Sequence, residues 1–274
     1  MIKIITLLEN TSFDKSLNCK HGLSFYIETN NHKILFDVGP NGLYYRNAIK
    51  LGVKIEDVDT LVLSHGHYDH GGGLSHFLSA NKKAKIYVKE GAFDEHFTKN
   101  ICFYINIGIK NQIDENRLIL TKNNYKIDEE IELFSGVESR KMFSSMNNTL
   151  YTKKDGKYLN DNFEHEQYLV ISNNDSKVLL TGCSHNGIVN IVEKFDELYP
   201  NTNLKAVIGG FHLFDPVRKK YENKERILEL ANWLNNRKEN YYTCHCTGKK
   251  SFEIMKNTMK AKLSYACTGF KLEI

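Results

Sequence analysis

The chain has 274 residues and 41% hydrophobic composition, enough to bury the core of one large domain. Its 37 basic and 33 acidic residues leave a net charge of +4, too small an imbalance to argue for a nucleic-acid partner. No apolar run approaches the length of a membrane span, and six scattered cysteines fit a reduced, cytoplasmic protein better than a disulfide scaffold.

Residues 2–8 read as a first strand. Glu9 and Asn10 close that run without a small-residue cleavage site, which favours a strand over a signal peptide. Residues 23–28 and 33–37 flank Asn30-Asn31 and predict a β-hairpin that ends at Asp37. A short helix over 43–51 stops at Gly52. The β-branched, apolar run at 61–63 reads as a buried strand, and a helix begins at 74–78 with His76 on its exposed side. Residues 84–88 form another strand.

From 91 to 162 the pattern weakens. Phe93, Phe97, Phe103 and Tyr104 are interspersed with Lys and Asn, and short strands are expected at 117–120 and 130–134. We read this stretch as an insertion in a single domain spanning 1–274; an edge extension of the sheet is the alternative. Order returns with a second hairpin, 167–172 and 177–180, around Asn173-Asn174-Asp175. A helix over 188–198 follows, apolar at Ile188, Ile191, Val192, Phe195 and Leu198. Then come a strand at 204–208, an amphipathic helix at 225–234, a strand at 241–244, a helix at 251–259 and a final strand within 263–274. Strand, hairpin and helix recur in two halves. The fold class expected is α/β: an αββα sandwich of two mixed β-sheets with helices on the outer faces.

Four side chains of metal-ligand type stand directly behind the strand at 61–63: His65, His67, Asp69 and His70. Alternate residues of an extended segment point the same way, so His65, His67 and Asp69 share one side. His70 needs the turn that the run Gly71-Gly72-Gly73 permits. Imidazole and carboxylate together suit zinc, or iron with a different finishing set. This His-x-His-x-Asp-His pattern after an apolar strand resembles the signature of the metallo-β-lactamase superfamily. Thr181-Gly182-Cys183-Ser184-His185, Gly209-Gly210-Phe211-His212 and His245-Cys246-Thr247-Gly248 are similar to one branch of it. That branch is named for dihydropterin ribofuranosyl-aminobenzene phosphate synthase. The resemblance covers nearly the whole chain.

The resemblance implies two divalent metal ions, zinc first, with iron or manganese as alternatives. It implies His65, His67 and His185 for the first ion, and Asp69, His70 and His245 for the second. Asp37 is either a turn or cap residue or a carboxylate that orients a ligating histidine. His212 has several readings: proton donor to a leaving group, hydrogen-bond donor behind the metal ligands, substrate contact or surplus ligand. Asp69 is the candidate to take a proton from the attacking water. Many members carry a bridging Asp where this chain has Cys183, so we expect a pair bridged by water or substrate, with the second ion held more loosely. Cys183 itself is either a ligand or a small buried residue. Arg140 is a candidate for an anionic substrate group. The insertion at 91–162 is expected over the active-site face.

Such a centre lowers the pKa of bound water to about 7 and hydrolyses esters, thioesters, lactams or phosphodiesters with a metal-bound hydroxide. The expected substrate is a small molecule, phosphorylated in one variant of the reading, with no membrane or nucleic-acid partner. Two other readings are a metal-binding regulatory protein of little turnover and a mononuclear-iron thiol oxidoreductase.

Overall fold

The computed structural model describes residues 1–274. Two seven-stranded sheets face each other. The first runs in the order Lys271–Glu273, Lys3–Leu8, Ser24–Glu28, Lys33–Phe36, Thr60–Leu63, Lys85–Lys89 and Leu118–Thr121. The second runs Leu263–Tyr265, Asn240–Thr243, Asn203–Gly209, Ser176–Leu180, Tyr168–Asn173, Ile131–Phe134 and Asn124–Lys126. Both are mixed. The hairpins at each half pair antiparallel, and the strands that follow them pair parallel.

The strand period of two sorts the core into three layers. Val62 points into the space between the sheets with Phe25, Phe36, Val178, Leu180 and Ile208. Its neighbours Leu61 and Leu63 point the other way, against Tyr44, Leu74 and Phe77 of the helices Leu43–Lys50 and Leu74–Ala80. Leu179 and Val207 likewise meet the helices Ile188–Leu198, Lys224–Asn235 and Lys249–Met259. Strands buried on both faces explain why these runs are apolar without alternation. Truncating a residue such as Phe195, 1% exposed, would cost about 3–5 kcal/mol.

The structure refines two expectations. The last strand is two strands: Leu263–Tyr265 joins the second sheet and Lys271–Glu273 crosses to the first. The stretch 91–162 also divides. Leu118–Thr121 extends the first sheet in parallel, and Ile131–Phe134 pairs with Tyr168–Asn173 in the second, because Ile131 and Leu133 belong to the inter-sheet core. Only the flanking pieces form a separate four-stranded sheet, ordered Lys157–Asn160, Leu150–Lys154, His96–Asn100 and Phe103–Asn106. No helix is long and apolar enough to cross a membrane.

Candidate metal centre

Parallel pairing brings the carboxyl ends of five strands to one edge of the sandwich. Lys33–Phe36 and Thr60–Leu63 end there from one sheet; Ser176–Leu180, Asn203–Gly209 and Asn240–Thr243 end there from the other. The residues that leave these ends are Asp37, the run 64–70, the run 181–185, the run 210–212 and the run 244–246. Four non-glycine residues among them take left-handed backbone: Asp37 (φ 61°), Ser184 (58°), His212 (46°) and His245 (51°). Non-glycine residues hold such conformations at a cost, and that cost collects at functional sites.

Two groups of donor atoms converge at this edge, each with its atoms within 4.8 Å of one another. One is His65, His67 and His185; the other is Asp69, His70, Cys183 and His245. In the first group, all three Nε2 atoms are buried with no hydrogen-bond partner. A buried polar atom without a partner costs free energy, so three aimed at one point argue for something that fills it. Burial, reinforced by neighbouring imidazoles, pushes all three histidines well below their ordinary pKa. They are therefore neutral, the form that ligates metal. In the second group, His70 Nε2 lies 3.1 Å from Cys183 Sγ and 3.2 Å from His245 Nε2, and His245 Nε2 lies 3.2 Å from Asp69 Oδ2. Ligands of a tetrahedral zinc with bonds of about 2.1 Å stand roughly 3.4 Å apart. Both groups fit divalent metal.

The other ring nitrogens are fixed. His70 Nδ1 donates to Asp37 Oδ2 at 2.6 Å, and Asp37 also accepts from the Ser64 N–H and hydroxyl at 2.7 Å each. His65 Nδ1 is 2.8 Å from Ser64 Oγ. His185 and His245 are held by matching clamps from opposite halves of the chain. Asn147 donates its amide to the His185 carbonyl (2.8 Å) and accepts from His185 Nδ1 (3.0 Å). Asn10 does the same for His245, at 3.1 and 2.9 Å. A buried carboxylate completes each clamp: Glu166 accepts the His185 N–H at 2.7 Å, and Glu9 the His245 N–H at 3.2 Å. Burial raises the pKa of both glutamates. Such partners set the tautomer and aim of a ligating imidazole.

Burial alone would raise the Asp69 carboxyl, but His70, His21 and His245 outweigh it and hold it well below the usual carboxylate range. His70 moves up to about 9: burial works against its charge, and Asp37 and Asp69 outweigh burial. His21 Nε2 sits 3.2 Å from Asp69 Oδ2 and its ring packs on His245 at 4.5 Å between centroids. The two groups open on a cavity of about 210 Å³. Ile107, Met146, Leu150, Phe214 and Val217 give it an apolar wall opposite His67, Asp69, His185 and His212. Thr98, Ile107, Met146, Thr149 and Leu150 come from the stretch 91–162.

Arg140 is not brought to this cavity, which corrects its candidacy as an anion contact there. Its guanidinium donates to the carbonyls of Val137, Ser139 and Asn162 and faces a separate cleft beside Phe143 and Glu222. No lysine or arginine lines the cavity at the metal groups. Sequence reasoning missed the clamp residues Glu9, Asn10, Asn147 and Glu166, and also His21. Glu9 and Glu166 did carry a signal, since each is a carboxylate set against an apolar strand.

A family model for the metallo-beta-lactamase superfamily matches residues 17–137. An uncharacterized protein of Methanocaldococcus jannaschii is 34% identical over 253 residues, 92% of each chain. This chain belongs to the metallo-β-lactamase superfamily. Within the superfamily, a second relative from the same organism is 30% identical over 271 residues, 91% of this chain and 89% of that one. It is named 7,8-dihydropterin-6-methyl-4-(beta-D-ribofuranosyl)-aminobenzene-5'-phosphate synthase. The crystal structure of a metal-dependent hydrolase of the beta-lactamase superfamily superposes over 100% of this chain and 99% of its own, with a TM-score of 0.79 at 26% identity. A diphosphatase of the PhnP family shares the fold at a TM-score of 0.55 and 12% identity, over 100% and 98% of the two chains.

Proposed function

We propose that this superfamily member is a dinuclear metal-dependent hydrolase of a small ester, thioester or phosphodiester. His65, His67 and His185 would hold one divalent ion, zinc in the first instance, and Asp69, His70 and His245 the other. The observation that carries this reading is the set of three buried, unpartnered Nε2 atoms beside an open cavity. Ions held there would make water nucleophilic at neutral pH and polarise a carbonyl or phosphoryl oxygen.

The chain's own groups do the rest. The Asn10, Asn147 and Asp37 contacts engage Nδ1 of His245, His185 and His70, which turns Nε2 of each toward the other donor atoms of its group. Asp69 is kept ionised, and its side chain is 22% exposed at the cavity, so its carboxylate can accept a hydrogen bond from an attacking water and orient it. The apolar wall of Ile107, Met146, Leu150 and Phe214 favours a substrate with an apolar portion and excludes bulk water from it. With no lysine or arginine on that wall, a phosphoryl group would have no charged side chain to hold it. Esters and thioesters are therefore favoured over phosphate-rich substrates.

The test is a screen of ester, thioester and phosphodiester substrates against metal-free protein reloaded with zinc, manganese or iron. The reading expects turnover that needs added metal and is lost in His67→Ala. Metal-independent turnover, or equal rates for parent and His67→Ala, would remove the reading. Turnover confined to an iron-loaded, oxygen-consuming reaction would move the chain to the oxidoreductase class.

A further inference from the structure

A third group of ligand atoms lies beside the two histidine-rich ones. The sulfurs of Cys183 and Cys246 and a ring nitrogen of His212 lie within 4.8 Å of one another, and all three residues are buried. His212 is the decisive member. It is 7% exposed, it lines the cavity, and both of its ring nitrogens are buried with no hydrogen-bond partner. A structural histidine engages at least one nitrogen, as His96 and His165 do. His212 also stands at φ 46°, so the backbone bears a strained conformation at this residue.

The sulfur side is shaped to match. The His212 backbone N–H donates to Cys246 Sγ at 3.2 Å and Cys246 Sγ lies 3.5 Å from the Cys183 carbonyl, contacts that hold this sulfur beside the other two residues. Gly210 leaves room for that sulfur, because a Cβ there would stand 2.4 Å from Cys246 Sγ. All three residues line the cavity, which gives an ion a way in.

The donor set selects the ligand. Two thiolates and one neutral imidazole neutralise a divalent charge, so the ion would be buried with no net charge left over. Thiolate donors also select thiophilic metals over magnesium, calcium or manganese. Cys183 Sγ belongs both to this group and to the group of Asp69, His70 and His245, so one thiolate borders two seats. We propose that Cys183, His212 and Cys246 form a third cation seat, selective for a thiophilic divalent ion such as zinc or cadmium. Ion binding there releases the thiol protons to solvent. The seat gives His212 a ligand's role in place of proton donor, and it does not depend on what reaction the histidine-rich centre performs.

The test titrates metal-free protein, kept reduced by a phosphine, with cadmium and with cobalt. Bound metal per chain is read by mass spectrometry, and sulfur-to-metal charge transfer by ultraviolet absorption. The parent is expected to take up three ions. Cys246→Ser should take up two and lose about half the charge-transfer intensity, since one of two sulfurs is gone. His212→Gln keeps both sulfurs and should bind the third ion at least about 10-fold more weakly, in line with the loss of a group that holds metal. Should Cys246→Ser fail to fold by circular dichroism, His212→Gln decides. A parent that binds no more than two ions, with both variants titrating as it does, overturns the seat. His67→Ala separates this inference from the hydrolase reading: it should lose a histidine-bound ion and keep the sulfur band, whether or not turnover is found.

Discussion

His67 stands between two groups of buried histidines that differ in what their nitrogens face. On one side, with His65 and His185, the Nε2 atoms meet nothing. On the other, with His96, Asp161 and His165, the nitrogens of His96 and His165 are all engaged. His96 Nδ1 is 3.0 Å from Asp161 Oδ2 and its Nε2 is 3.1 Å from the Gly91 carbonyl. His165 Nδ1 accepts the Gly66 N–H at 3.0 Å, so its proton lies on Nε2, which donates to Asp161 at 3.2 Å. Spacing alone would make both groups metal sites, since each has its atoms within 4.8 Å. The leftover donor capacity separates them: a lone pair already accepting a backbone N–H, or a nitrogen already carrying a proton, cannot also ligate. The first group keeps lone pairs that fit an ion, and the second is a hydrogen-bonded strut beside it.

The largest expected effect comes from cutting each group in turn. His185→Ala should lose most of the first ion, more than the roughly 10–100-fold in affinity that follows loss of a supporting partner. His165→Ala should keep the parent's metal content. Equal metal loss in the two variants, measured by mass spectrometry of desalted protein, would erase the distinction.

The clamps come next. Asn147→Ala and Asn10→Ala remove the acceptors for His185 and His245 Nδ1, and each should weaken metal binding by roughly 10–100-fold with little change in fold. Isothermal titration from the metal-free state gives the number. Parent-like affinity in both would show that the imidazoles need no such aim.

How far the sequence reached depends on where a residue's partner lies along the chain. His65, His67, Asp69 and His70 were readable because six residues behind one strand carry them all. Asp37 lies one parallel strand away from Ser64 and His70, and its place at a strand end hinted at its role. Glu9 and Asn10 act on His245 more than 230 residues away; the carboxylate against an apolar strand marks Glu9 as unusual, but nothing near either residue names His245 as the partner. Asn147 sits in a weakly patterned stretch, in the turn Ser145–Thr149 that leads into the four-stranded sheet, and meets His185 only in the folded chain. Arg140 misled because a positive charge in a candidate insertion suggests a substrate contact, while three backbone carbonyls had already claimed it. The sandwich itself was legible because strands buried on both faces are continuous apolar runs. The division of 91–162 was not, because its short strands look alike whether they extend a core sheet or form a separate one.

The smallest effects concern the strut. Asp161→Asn should cost roughly 2–3 kcal/mol of stability, since it leaves two buried histidines without their carboxylate, and it should leave metal content unchanged. Burial alone would raise the Asp161 carboxyl, but the bonds from His165 and His96 outweigh it and hold the group far below its ordinary 3.8. A depressed carboxylate contributes stability above its unfolded pKa and loses it as pH falls below that value. The parent should therefore lose stability as pH drops through about 4, and Asp161→Asn should lose less over the same interval. Urea unfolding at pH 6 and pH 3.5 measures both slopes; parallel losses would show that Asp161 is not a source of the acid sensitivity.

Metal binds, on this reading, where converging donors are not tied up by backbone or by a structural carboxylate. An anomalous-difference map of zinc-loaded crystals tests it most directly. The account predicts peaks within bonding distance of His65, His67 and His185 and of Asp69, His70 and His245, with none among His96, Asp161 and His165. A peak at His96, Asp161 and His165, with the three unpartnered Nε2 atoms left empty, would contradict it.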